Sequence, residues 1–118
     1  MLWFGGSWVH RRLIDRLVRY GSGFNPLGQP DDAGLARIAD ALTAAGRHPS
    51  DLEYVGGTRG TFAGPDGLAD LDRALAGIPA QVARGFRTIC VKPSQFTGDP
   101  ARIGDFCREL VAKVAALA

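Results

Sequence analysis

Four short apolar runs, each followed by a stretch of helical periodicity, restrict the folds open to this 118-residue chain more than any other feature. The runs are Leu2 to Phe4, Gly23 to Leu27, Leu52 to Val55 and Thr88 to Val91, each too short to be a helix. The first helix is expected from about Ser7 to Tyr20. It places Val9, Leu13, Ile14, Leu17 and Val18 on one stripe and Arg11, Arg12, Arg16 and Arg19 over much of the rest, and it is stopped by Gly21 and Gly23. Asp31 and Asp32 are suited to cap a second helix carrying Leu35, Ile38, Ala39, Leu42 and Ala45, with Gly46 at its carboxyl end. A third, from about Asp66 to Arg84, carries Leu68, Leu71, Leu75, Ile78 and Val82 and ends at Gly85, and Pro79 is expected to kink or divide it. The fourth opens with Asp99 as cap and Pro100 at the first helical position, and has the cleanest stripe: Ile103, Phe106, Cys107, Leu110, Val111 and Val114.

Strands alternating with helices of this length imply βαβ units, a parallel sheet and right-handed crossovers. The fold class is therefore α/β, four consecutive βα units spanning residues 1 to 118 as a single domain. Two architectures fit the pattern: a small open parallel sheet, or half of an eight-stranded (β/α)8 TIM barrel, which would leave an inner face and two strand edges to be satisfied by another half. A chain of this size can bury roughly 65 to 70% of its unfolded surface. Its 46% hydrophobic and 22% charged content is that of an ordinary globular protein, and no apolar run approaches the roughly 20 residues that span a bilayer. Twelve arginines and two lysines are scattered among twelve acids for a net charge of +2, without a basic block, so neither nucleic acid nor membrane is expected as a partner. Cys90, in an expected buried strand, and Cys107, on the apolar side of a helix, have the spacing of neither a disulfide framework nor a metal site. They read as core residues of a cytoplasmic protein, and the opening residues lack the pattern of a secretory signal.

The first strand runs into Gly5, Gly6 and Ser7, the serine placed to cap the helix just ahead. Helix amides and the positive end of the helix dipole then converge where no side chain blocks approach, which suits a phosphate-bearing ligand.

The runs WFGGS, YGSGFNPLG, AAGRHPSDLEYV and ARGFRTICVKPSQF, in that order and followed by an amphipathic helix, resemble the C-terminal half of the luciferase-like monooxygenases. That family includes bacterial luciferase, flavin-dependent alkane monooxygenases and deazaflavin-dependent oxidoreductases. Ser22 stands where its pattern has the aspartate of GDG, and His48 where it has the aspartate of GRDP. The resemblance covers nearly the whole chain and implies strands five to eight of a TIM barrel. It also implies a partial flavin- or deazaflavin-dependent oxidoreductase or monooxygenase that is inactive alone; the alternative expectation is a non-catalytic, phosphate-binding or self-associating half-barrel module. The complete relatives transfer hydride or insert one oxygen atom. The implied cofactor is flavin mononucleotide (FMN) or the 8-hydroxy-5-deazaflavin coenzyme, with cofactor contacts at the paired glycines, and the implied partners are a small-molecule substrate and a complementary half or second copy.

In such a barrel the loops that follow strands form the active face. Gly5, Gly6 and Ser7 fall there as cofactor-binding candidates, joined by Arg59, whose planar fork suits phosphate or carboxylate, in the glycine-rich loop after the third strand. Asn25 and Lys92, at the ends of the second and fourth strands, are the substrate-binding candidates. His10, within the first helix, and His48, in a turn on the opposite face, are poorly placed as general bases, and Trp3, Trp8 and Phe62 read as packing. There is no catalytic triad, carboxylate pair or metal cluster, as expected where the hard chemistry belongs to a cofactor.

Overall fold

A computed structural model describes residues 1–28, 30–58 and 67–117. The four apolar runs form strands β1 (Trp3–Gly6), β2 (Gly23–Pro26), β3 (Glu53–Gly57) and β4 (Phe86–Cys90). They make one sheet in the order β1-β2-β3-β4, with β1 to β2 and β2 to β3 parallel. The expected α/β class with a parallel sheet is therefore present. The chain divides into two units, residues 1–56 with 86–88, and residues 57–85 with 89–118.

In the first unit the pleat sorts the side chains. Phe4, Phe24 and Tyr54 lie in register across three strands and pack into one core with Leu13 and Leu17 of α1 (Arg11–Tyr20) and Ile38 and Leu42 of α2 (Asp32–Ala44). The alternate row, Trp3, Gly23 and Glu53, points away from that core. Trp3 lies over Gly23 so closely that a Cβ there would meet its indole at 2.6 Å. Glu53 accepts a hydrogen bond from the Thr88 hydroxyl.

The helix ends show where local pattern and geometry part. Asp31 caps α2 through Gly34 N at 2.6 Å, as expected. Ser7 does not cap α1; His10 does, its Nδ1 accepting from Leu13 N at 3.3 Å. The expected start is therefore too early by a turn, and His10 lies ahead of the helix rather than within it. Gly46 and Gly85, at φ +75° and +92°, end their helices in the left-handed region that favours glycine. Arg47, next in the chain, reaches back to the carboxyl end of α1 and donates to the carbonyls of Leu17 (2.9 Å), Val18 (2.8 Å) and Gly21 (2.9 Å). Leu17 O also accepts from Gly21 N at 2.9 Å, and a cation donating to the last carbonyls of a helix adds to their bonding and complements the dipole.

Burial pushes the Tyr54 phenol above its ordinary value of 10.0, where its ring meets Phe24 edge-on at 6.4 Å and Phe86 at 5.8 Å. The unfolded chain ionises this tyrosine near pH 10 while the native state keeps the proton, so native stability falls as pH rises from about 10 toward the raised value. Urea melts between roughly pH 9 and 11 should show this slope in the parent and a shallower one in Tyr54→Phe. Parallel slopes would mean that Tyr54 is not the group responsible.

The second unit holds α3 (Leu71–Leu75), α4 (Ile78–Ala83) and α5 (Ile103–Ala115). The expected third helix is divided at Ala76 and Gly77, with Pro79 in the first turn of α4, where a missing N–H costs nothing; its expected start at Asp66 lies outside the described residues. Gln81 brackets the last residue of β3, accepting from Gly57 N at 3.1 Å and donating to Gly57 O at 3.0 Å. Asp99 caps a 3-10 turn, Pro100–Arg102, that leads into α5. Phe106 is buried and stacks on Phe96 at 5.5 Å. The remaining stripe of α5 is less covered than its pattern implies: Ile103, Val111 and Val114 are exposed. Cys107 on that stripe and Cys90 at the end of β4 are also exposed, so neither thiol is the core residue expected.

Candidate functional site

The sheet places the carboxyl ends of β1 and β2 side by side. Gly5 is in register with Asn25 and Gly6 with Pro26, and Leu27 N donates to Gly6 O at 3.2 Å. Of the candidate residues, Gly5, Gly6, Ser7 and Asn25 are thus brought together. Gly5 and Ser7 are exposed and Asn25 is half-buried; neither the Ser7 nor the Asn25 side chain has a hydrogen-bond partner among the described residues. Trp8 and Leu27, in the loops that follow the two strands, are 80% and 76% exposed. Uncommitted polar groups beside exposed apolar side chains, at the carboxyl ends of parallel strands, form the usual setting for a small-molecule site in α/β proteins.

The paired glycines do different things. A Cβ on Gly5 would stand 3.2 Å from the Asn25 carbonyl oxygen, which holds the two strand ends close. On Gly6 it would stand 3.2 Å from Cδ2 of Leu13, so that glycine also seats α1 against its strand. The amides of α1 do not begin at the glycines: Ser7, Trp8, Val9 and the cap His10 intervene. The glycines sit at the strand end and its loop, and the helix amides lie farther along the chain than the sequence implies.

Lys92 belongs to the second unit. It is exposed after β4, at the start of the 3-10 turn Pro93–Gln95, and its carbonyl accepts from Gln95 N at 3.0 Å. Arg59 and Phe62 lie outside the described residues. His48 is a cap: its Nδ1 accepts from Ser50 N at 3.2 Å, and Asp51 returns a carboxylate to His48 N at 3.0 Å.

Two residues that pattern reasoning passed over carry a signal in the second unit. Thr58 Oγ1, just after β3, and Gln95 Oε1, just after β4, are buried without a hydrogen-bond partner among the described residues, although Thr58 N itself donates to Cys90 O at 3.1 Å. An unsatisfied buried polar atom costs about 1 to 3 kcal/mol, and such atoms mark places where a ligand or water completes the bonding. The only clue in the sequence was their position one to five residues beyond a parallel strand. Among the described residues no group of histidine, cysteine and carboxylate side chains is arranged to hold a metal, and no helix is long and apolar enough to cross a membrane. Comparison with known protein families, with curated proteins and with solved structures gave no match.

Proposed function

We propose that this chain is one half of a (β/α)8 barrel of the luciferase-like oxidoreductase type and supplies the side that holds the phosphate end of FMN or a deazaflavin coenzyme. The observation that supports this most is the meeting of Gly5, Gly6 and Ser7 with Asn25 at the carboxyl ends of two adjacent parallel strands. Sequential strand order is the order of a barrel wall, whereas a doubly wound sheet reverses its order at a switch point. In this reading the exposed strand end admits a phosphate without steric obstruction, Ser7 donates its hydroxyl to it, and Asn25 orients a carbonyl or hydroxyl of the substrate. The ring chemistry is the cofactor's, and the chain's part is binding and orientation. Turnover requires the other half of the barrel, which holds the ring against the substrate.

The test is calorimetric titration of the purified chain with FMN, with a 5-deazaflavin and with inorganic phosphate, alongside Ser7→Ala and Gly5→Ala. Both variants should bind FMN about tenfold more weakly, the loss of one charge-assisted hydrogen bond or of close approach. Ser7→Ala should keep the parent's melting temperature, because Ser7 caps nothing. Absence of FMN, deazaflavin and phosphate binding by the parent, or binding unchanged in both variants, would remove the assignment.

A further inference from the structure

We propose that two copies of this chain close one eight-stranded barrel about a two-fold axis parallel to the strands, β1 of each copy pairing with β4 of the other. The inference rests on the half-barrel part of the proposed reading and not on its cofactor.

Ser22 N donates to Leu2 O at 2.8 Å and Leu27 N to Gly6 O at 3.2 Å. In a pleated strand the bonding groups alternate sides, so those of Leu2, Phe4 and Gly6 face β2, and those of Trp3 and Gly5 point off the sheet. Thr58 N donates to Cys90 O; by the same alternation Arg87 and Ile89 present their N–H and C=O on the outer side of β4. Among the described residues the sheet thus ends, at β1 and at β4, in rows of backbone donors and acceptors with no strand beside them.

Edges of this kind normally carry protection: charges, proline or a bulge. β1 reads Trp-Phe-Gly-Gly, with neither charge nor proline, and β4 reads Phe-Arg-Thr-Ile-Cys, with Arg87 as its one charge. They are built to be paired. What pairs them follows from direction. A two-fold axis along the strands preserves their direction, so β4 of one copy meets β1 of the other in parallel at two identical joints, and no edge remains. A partner of different sequence would need two different matching edges, whereas a second copy has both. Eight strands also give an interior that side chains fill. The row facing away from α1 and α2 offers Trp3, Asn25 and Glu53 for that purpose.

Sedimentation of the full chain at roughly 1 to 100 µM tests the stoichiometry, and hydrogen exchange read by NMR tests the joint. The expected results are a species of twice the 12.5 kDa chain mass and exchange at the Trp3, Gly5, Arg87 and Ile89 amides at least ~100-fold slower than in an open strand. Arg87→Pro, which removes an outward N–H while leaving the ladder to β3, should halve the mass with its circular dichroism retained. If that variant fails to fold, exchange in the unaltered chain still decides. A folded monomer, a dimer whose four edge amides exchange freely, or an open-ended series of oligomers would each overturn the proposal. A monomer that binds FMN would overturn it while leaving the cofactor reading intact.

Discussion

Phe24→Ala is expected to destabilise the first unit by about 3 to 5 kcal/mol, a large part of the roughly 5 to 15 kcal/mol that holds a domain of this size together. Phe24 is fully buried on the central part of the sheet, and it packs with Leu17, Ile38 and Leu42, themselves fully buried. Truncation removes a ring from a place that α1, α2 and the sheet enclose together, so the gap cannot be closed by moving any one of them. Phe24→Leu keeps most of the volume and should cost roughly 1.5 kcal/mol or less. Trp8→Ala, a larger deletion at a site 80% exposed, should stay within about 0.5 kcal/mol. Urea midpoints at constant slope measure all three. If Phe24→Ala and Trp8→Ala cost the same, the core assigned to this unit is wrong.

The second large effect is expected at Arg47. Its guanidinium donates to three carbonyls at the end of α1, and hydrogen bonds from a charged donor contribute about 1.5 to 3 kcal/mol. Arg47→Ala should therefore cost about 2 to 3 kcal/mol. Arg47→Lys should recover less than half of that, because a compact ammonium on a flexible stem cannot span the three acceptors as the planar fork does. The acceptors are neutral and the contact is partly buried, so the loss should persist in roughly 0.5 M salt, where a surface charge effect would be screened. A penalty that disappears with added salt would refute the geometric explanation.

The contrast between Asp31 and Arg47 shows why some of this architecture could be read from residue order and some could not. Asp31 acts on an amide three residues away and belongs to the small set of side chains that cap helices from the amino end, so its role is written in a few adjacent positions. Gly46, Gly85 and Pro79 are local in the same sense, and so are the four apolar runs. Arg47 acts on carbonyls 26 to 30 residues earlier, a distance over which no periodicity carries information. His10 was missed for another reason: histidine is an uncommon cap, and Ser7 stood nearby as a better local candidate. The exposure of Cys90 and Cys107 depends on what covers a strand end and a helix stripe, which apolar pattern alone does not specify. In the candidate site, Gly5, Gly6 and Asn25 could be found because strand ends are local; Thr58 and Gln95 could not, since an unpaired oxygen is a property of its surroundings.

The reach of Arg47 also bears on modularity. A βα unit is commonly regarded as the piece that can be duplicated, exchanged or recombined among α/β proteins, and the chain from β1 to Tyr20 has that appearance. Yet three carbonyls at the end of its helix accept from a residue beyond the end of the next unit. A graft that carries β1 and α1 without the segment through Arg47 transfers an unfinished helix, so the smallest exchangeable block runs from the first strand to that arginine and comprises two units, not one.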